Sequence, residues 1–156
     1  MPSRRQHVAM NEDELRAYLE SRRRVILVTN GPDGWPHAVP MNYGIDTEGR
    51  VIMTSFARAQ KVRNLERDPR ATLLVESGET YAQLRAAMMR TEAEILREPE
   101  EVARHMRMIR AAEPLAQSLD DAMSEQVRAS LAKRIVLRFT PIRIASWDHS
   151  KLAGKY

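Results

Sequence analysis

The 156-residue chain contains no cysteine. That absence removes disulfides, thiolate nucleophiles and cysteine-held metals from consideration. No run of about 18 apolar residues occurs either, so no membrane span is expected. The basic opening, MPSRRQHVAM, lacks the apolar core of a secretory leader, and cytoplasmic residence is the expectation. Missing too are the Walker-type phosphate loop, the glycine fingerprint of dinucleotide-binding turns, the paired-histidine zinc helix and the serine nucleophile elbow. His7, His37, His105 and His149 are scattered without ligand spacing, so no metal site is expected and hydrolase chemistry has no positive support.

What is present suits a globular fold: 43% hydrophobic and 29% charged residues, at a length that fits one domain spanning 1–156. The net charge is +4, and arginine outnumbers lysine 21 to 4. Acidic residues are interspersed with the basic ones, and only Arg22–Arg24 forms a cationic run. Such a run is usually a solvated face or helix end, so no nucleic-acid partner is expected.

Asn11 followed by Glu14 has the form of a helix cap, and Leu15, Tyr18 and Leu19 supply the apolar stripe behind it. Val25–Thr29 is a β-branched strand, and the Asn30–Gly34 turn leads into an extended segment, Trp35–Asp46. A further turn leads to Val51–Ser55, and the three strands should pair antiparallel. A helix over Ala59–Asp68 precedes the strand Ala71–Val75. Tyr81–Leu96 has helical propensity, but its place after a hairpin-type turn favours strand. Glu98–Leu131 reads as helix, with one stripe of Val102, Met106 and Ile109 and another of Leu115, Leu119, Met123, Val127 and Leu131; Pro114 suits a first helical turn. Strands Ile135–Thr140 and Ile142–Trp147 close the chain, with Pro141 interrupting them. Tightly turned antiparallel strands with segregated helices predict a small α+β barrel.

Within this order the richest segment is Arg50–Glu76. Its strand-to-helix turn gathers Thr54, Ser55, Arg58 and Lys61, hydroxyls and cations where a strand ends and a helix begins. Unpaired N–H groups and the helix dipole make such a place favourable for a phosphate.

Three stretches, Gly34–Tyr43, Asp46–Ser55 and Lys61–Ala71, resemble the pyridoxamine 5′-phosphate oxidase-like flavoproteins, and more narrowly their flavin and deazaflavin oxidoreductase branch. Tyr81–Arg85 and Pro141–Leu152 fit the same branch. The resemblance covers roughly 12–97 and 132–152. It implies a six-stranded antiparallel split β-barrel with flanking helices, its core at 11–97 and 132–152, with 98–131 as a helical insert. It further implies a homodimer binding FMN or the deazaflavin coenzyme F-420 in shared grooves and transferring a hydride to or from a small-molecule substrate. In that frame Lys61 and Arg58 meet the cofactor phosphate, joined by Thr54 and Ser55. Pro40, Met41, Asn42 and Tyr43 lie along the ring system with Met53, and Trp147 reaches a cofactor, that of the other chain.

Each assignment has a plainer competitor. In sequence terms Lys61 also reads as a solvated helix residue, Thr54 and Ser55 as a strand end or cap, Met41 and Met53 as core fillers, and Trp147 as a core or interface anchor. His149 and Lys151 are candidate substrate contacts. Ala86, Ala87 and Thr91 stand where the branch is expected to carry glycine, which implies a narrower substrate end. Ser150-Lys151-Leu152 does not reproduce the oxidase's arginine–histidine pair, so activity as a true pyridoxamine phosphate oxidase is not expected. The competing functions are a non-enzymatic flavin- or haem-binding module, with His149 the histidine to examine, and a regulatory dimer whose insert serves a partner.

Overall fold

A computed structural model describes residues 4–110, 129 and 131–152. Two helices open the chain, α1 (Arg4–Val8) and α2 (Glu12–Glu20). The second starts as its sequence predicts: the Asn11 side chain accepts the Glu14 N–H at 2.8 Å, and Glu14 accepts the Asn11 N–H at 2.8 Å. This reciprocal capping satisfies two otherwise orphaned donors. Tyr18 and Leu19 form its buried face.

One antiparallel sheet makes up the body. Its strands are β1 (Arg24–Asn30), β2 (Pro36–Asn42), β3 (Gly44–Ile45), β4 (Val51–Phe56), β5 (Arg70–Ser77), β6 (Arg85–Leu96) and β7 (Arg134–Asp148). Their spatial order is β2-β1-β5-β6-β7-β4-β3. The end strands of that order, β2 and β3, are consecutive in the chain with only Tyr43 between them. The run 36–45 therefore pairs with β1 through one half and with β4 through the other, bringing the curled sheet round on itself. Seven segments stand where the resemblance implied six: the predicted strand Trp35–Asp46 divides at Tyr43 as it passes from one neighbour to the other, while the predicted strands 135–140 and 142–147 join into the single β7.

The interior follows the two-residue period of strands. Val25, Leu27, Val51, Met53, Leu73, Val75, Met89, Leu137 and Phe139 are all buried in one core cluster. Two further expectations are amended. Tyr81–Gln83 is a 3-10 turn, and the strand begins only at Arg85. Pro141 does not break β7. The register shifts between Arg90 and Thr91, which pair with Arg143 and Pro141, so Ile142 is the extra residue of a bulge. A bulge is where a strand tolerates a residue lacking its N–H.

Helix α3 (Gln60–Arg67) follows β4. Helix α4 (Pro99–Arg110) lies outside the barrel, where Val102, Met106 and Ile109 form the predicted stripe. They pack on Ile52 of β4 and Val136 of β7, with Leu131 against the same cluster. Pro114, Leu115, Leu119, Met123 and Val127 lie outside the described residues. Among the described residues no helix is long and apolar enough to cross a membrane.

Candidate functional site

Alternation along β4 assigns its residues to two environments. Val51, Met53 and Ser55 face inward and are buried, whereas Ile52, Thr54 and Phe56 face outward. Antiparallel pairing sets Val136 opposite Thr54 and Arg134 opposite Phe56, so these four share the outer face. Helix α4 covers only the part of that face around Ile52 and Val136. Beyond its edge a groove of about 500 Å³ opens, bounded by Pro40, Met41 and Asn42 of β2, Thr54 of β4, Met106 and Ile109 of α4, Arg24 and Arg134. That volume lies within the range of small-molecule sites.

The groove thus brings together four of the sequence candidates: Pro40, Met41, Asn42 and Thr54. The others occupy different surroundings. Tyr43 is buried and its hydroxyl donates to the Leu19 carbonyl at 2.6 Å; burial holds its pKa far above the ordinary tyrosine value. Met53 is fully buried in the core. Both fall on the inward phase and are buried, whereas Met41, on the phase of Tyr43 and packed on the same core, is only half-buried and still borders the groove. Trp147 is half-buried opposite Ala86. His149 bonds the Tyr81 carbonyl through Nδ1 at 2.9 Å, and Lys151 binds Glu14 at 2.6 Å and the Ala9 carbonyl at 2.8 Å. In this chain these two tie the C-terminal segment to its neighbours and do not line the groove. Ala86, Ala87 and Thr91 are packed into the buried sheet, so the expected narrowing does not fall on the groove walls.

From Thr54 the chain turns into α3. Ser55 is buried, Arg58 exposed and Lys61 half-buried. Ala59 occupies the cap position and makes no side-chain capping bond, so the first N–H groups of α3 lack the side-chain acceptor that Ser, Thr, Asp or Asn would supply. Lys61 has no ion-pair or hydrogen-bond partner among the described residues, and burial lowers its pKa below the ordinary lysine value. Helix α3 is held rigidly enough to present this end. Its fully buried Asn64 donates to the Thr29 hydroxyl on β1 at 2.9 Å and accepts from Gln60 at 2.9 Å. Asn64 was not singled out from sequence, although an asparagine between Val62 and Leu65 on the apolar stripe is a legible signal of a buried polar anchor.

Sequence reading also passed over Arg24, Arg134, Met106 and Ile109. Arg24 belongs to the cationic run that looked like a solvated face; its pairing with Asn42 is what carries it to the groove. The guanidinium of Arg134 lies over the Phe56 ring, 4.3 Å from its centroid, and its Nε is buried without a hydrogen-bond partner.

A curled antiparallel sheet whose splayed strands leave an outer groove defines the split-barrel class. Residues 11–148 match the family model for pyridoxamine 5′-phosphate oxidase, and the chain belongs to that family. A conserved hypothetical protein of Mycobacterium tuberculosis is 34% identical, aligned over 99% of this chain and 95% of its own, with a TM-score of 0.86. An FAD-binding protein of Mesorhizobium loti shares the fold at 15% identity, with 88% of this chain and 94% of that one aligned and a TM-score of 0.66. An F-420 reductase does so at 22% identity, with 82% and 93% aligned and a TM-score of 0.62.

The site's residues fit a phosphorylated tricyclic cofactor. Pro40, Met41, Met106 and Ile109 offer apolar walls, Asn42 and Thr54 polar contacts, and Lys61 at the uncapped α3 start an anion partner.

Proposed function

We propose that this protein is a homodimeric oxidoreductase that binds FMN or the deazaflavin coenzyme F-420 in the groove beside β2 and β4 and acts on a small molecule. The observation that carries the proposal is the succession of two features along the chain from β4 into α3. β4 contributes Thr54 to a half-apolar groove and then delivers Lys61, half-buried and unpaired among the described residues, to an uncapped helix start. Membership of the pyridoxamine 5′-phosphate oxidase family supports the same reading.

When bound, such a cofactor supplies hydride transfer at its ring. The chain's own part is positioning. Lys61 and the first α3 N–H groups hold the phosphate by charge-assisted bonds, with Arg58 as a second cation at the surface. Met41 on one wall and Met106 and Ile109 on the other exclude water from the ring, while Asn42 offers a side chain that both donates and accepts. A haem reading asks for a histidine in the groove; among the described residues none lines it.

The test is a titration of the purified protein with FMN and, separately, with F-420, following cofactor fluorescence. Saturable binding of one of them at micromolar concentration is expected. Failure of both removes the proposal, whereas a Soret band on adding haemin would favour a haem-binding module.

A further inference from the structure

We propose that the groove also holds a second anion site, an arginine clamp of Arg24 and Arg134 that selects ligands bearing a carboxylate or phosphate on an apolar body. The inference rests on reading the groove as a ligand site; it does not depend on which cofactor binds.

Two guanidiniums line the groove and no carboxylate does. Neither Arg24 nor Arg134 has an ion-pair partner among the described residues, whereas Arg50, Arg70, Arg85, Arg97, Arg104 and Arg138 each meet an aspartate or glutamate. The pair is placed from opposite sides. Arg24 stands on β1 across from Asn42, and Arg134 on β7 across from Phe56, so each of the two groove strands is flanked by one cation.

Arg134 is the better prepared of the two. Its Cζ lies over the Phe56 ring, 4.3 Å from the centroid, a contact that holds the guanidinium against an apolar face and consumes none of its N–H donors. One of those donors, on Nε, is buried with no acceptor, which is costly unless a ligand satisfies it. A planar fork of this kind matches the paired oxygens of a carboxylate or phosphate. The remaining wall, Met106 and Ile109 of α4 with Pro40 and Met41 of β2, is apolar and suits a hydrocarbon or aromatic body. Helix α4, which the barrel itself does not need for closure, thereby becomes a wall that sets which bodies fit.

The anion at Lys61 is separate. Lys61 does not line the groove, so the two cationic points suit one ligand that is anionic at both ends with its apolar body on the shared wall.

Benzoate and its neutral isostere benzamide are the probes, titrated into the full chain and followed by chemical-shift changes. Benzoate should bind about tenfold or more tightly than benzamide. Arg24→Met and Arg134→Met should each bring the ratio towards one, and Lys61→Met should leave it unchanged. A ratio near one in the unaltered protein, or a preference that survives both arginine substitutions or disappears with Lys61→Met, overturns the clamp. Arg24 is exposed, so its substitution tests the idea even if Arg134→Met fails to fold. FMN and F-420 titrations on the same samples keep the two readings apart. Cofactor binding without a benzoate preference defeats the clamp alone, and a benzoate preference without cofactor binding defeats only the proposed function.

Discussion

Lys61 carries a charge in a half-buried position where its ionised form is disfavoured. A lysine whose folded pKa lies below its unfolded value costs stability at neutral pH, and the cost is relieved only as pH rises through the folded value towards the unfolded one. Two opposite effects of Lys61→Met follow. The ligand-free protein should melt at the same temperature or slightly higher, while phosphate-bearing cofactor should bind more weakly by at least about 1.5 kcal/mol, the low end for a charged hydrogen bond. Calorimetric melting and cofactor titration read the two independently, and unchanged affinity would remove Lys61 from the site. Tyr43 and Met53 show how narrow residue-scale reading is. Each neighbours a groove residue in sequence, yet the strand period turns each into the core.

Single residues also decide whether elements can form where they do. Between β5 and the 3-10 turn, Gly78 has φ of +103°, and a Cβ there would collide with the Gln83 carbonyl. Gly78→Ala meets both a disfavoured backbone region and a backbone clash. It should cost about 2 kcal/mol or more by denaturant unfolding, with the β5–β6 connection the first to exchange its amide protons. The β3–β4 turn depends on Asp46. Burial raises the pKa of its carboxyl, but the Arg50 N–H at 2.8 Å, the Arg50 guanidinium at 2.7 Å and the Glu48 N–H at 3.0 Å outweigh that and hold it below the usual range. A depressed carboxylate adds stability above its unfolded pKa and loses it as pH falls through the folded value. Asp46→Asn should therefore destabilise by about 1–2 kcal/mol at pH 7. The gap to the unaltered protein should close progressively below about pH 4, and a gap independent of pH would show that the carboxylate charge is not what holds the turn.

At the scale of the molecule, the proposed homodimer has a concrete expectation. Trp35 and Ile142 remain 75% and 65% exposed in the single chain, with Ile144 at 40%. Ile142 and Ile144 lie two residues apart on β7, and an apolar stretch of this kind is one a second chain can cover. Light scattering should give twice the chain mass of 17.9 kDa. Ile142→Lys, placed on the β7 bulge, should shift the population towards monomer without lowering the far-ultraviolet signal. A monomeric mass for the unaltered protein at working concentration would contradict the dimer.

Much of the fold was legible in the chain because local chemistry settled it: the Asn11–Glu14 cap, the β-branched strands, the turn residues between them and the Val102–Met106–Ile109 stripe. Half-legible features were those where propensity and topology disagreed. Pro141 reads as a break, yet β7 carries it past β6 with a bulge at Ile142, and Trp35–Asp46 reads as one strand, yet its two halves pair with different partners. Of the candidate site, the sequence by itself offered the strand-to-helix turn at Thr54–Lys61, since clustered hydroxyls and cations are a local signal, and the resemblance offered Pro40–Tyr43, of which Pro40, Met41 and Asn42 line the groove. Only the tertiary structure decided that Arg24, Arg134, Met106 and Ile109 complete the groove. They come from β1, β7 and α4, and register and packing across long sequence separations, not local composition, bring them to one place.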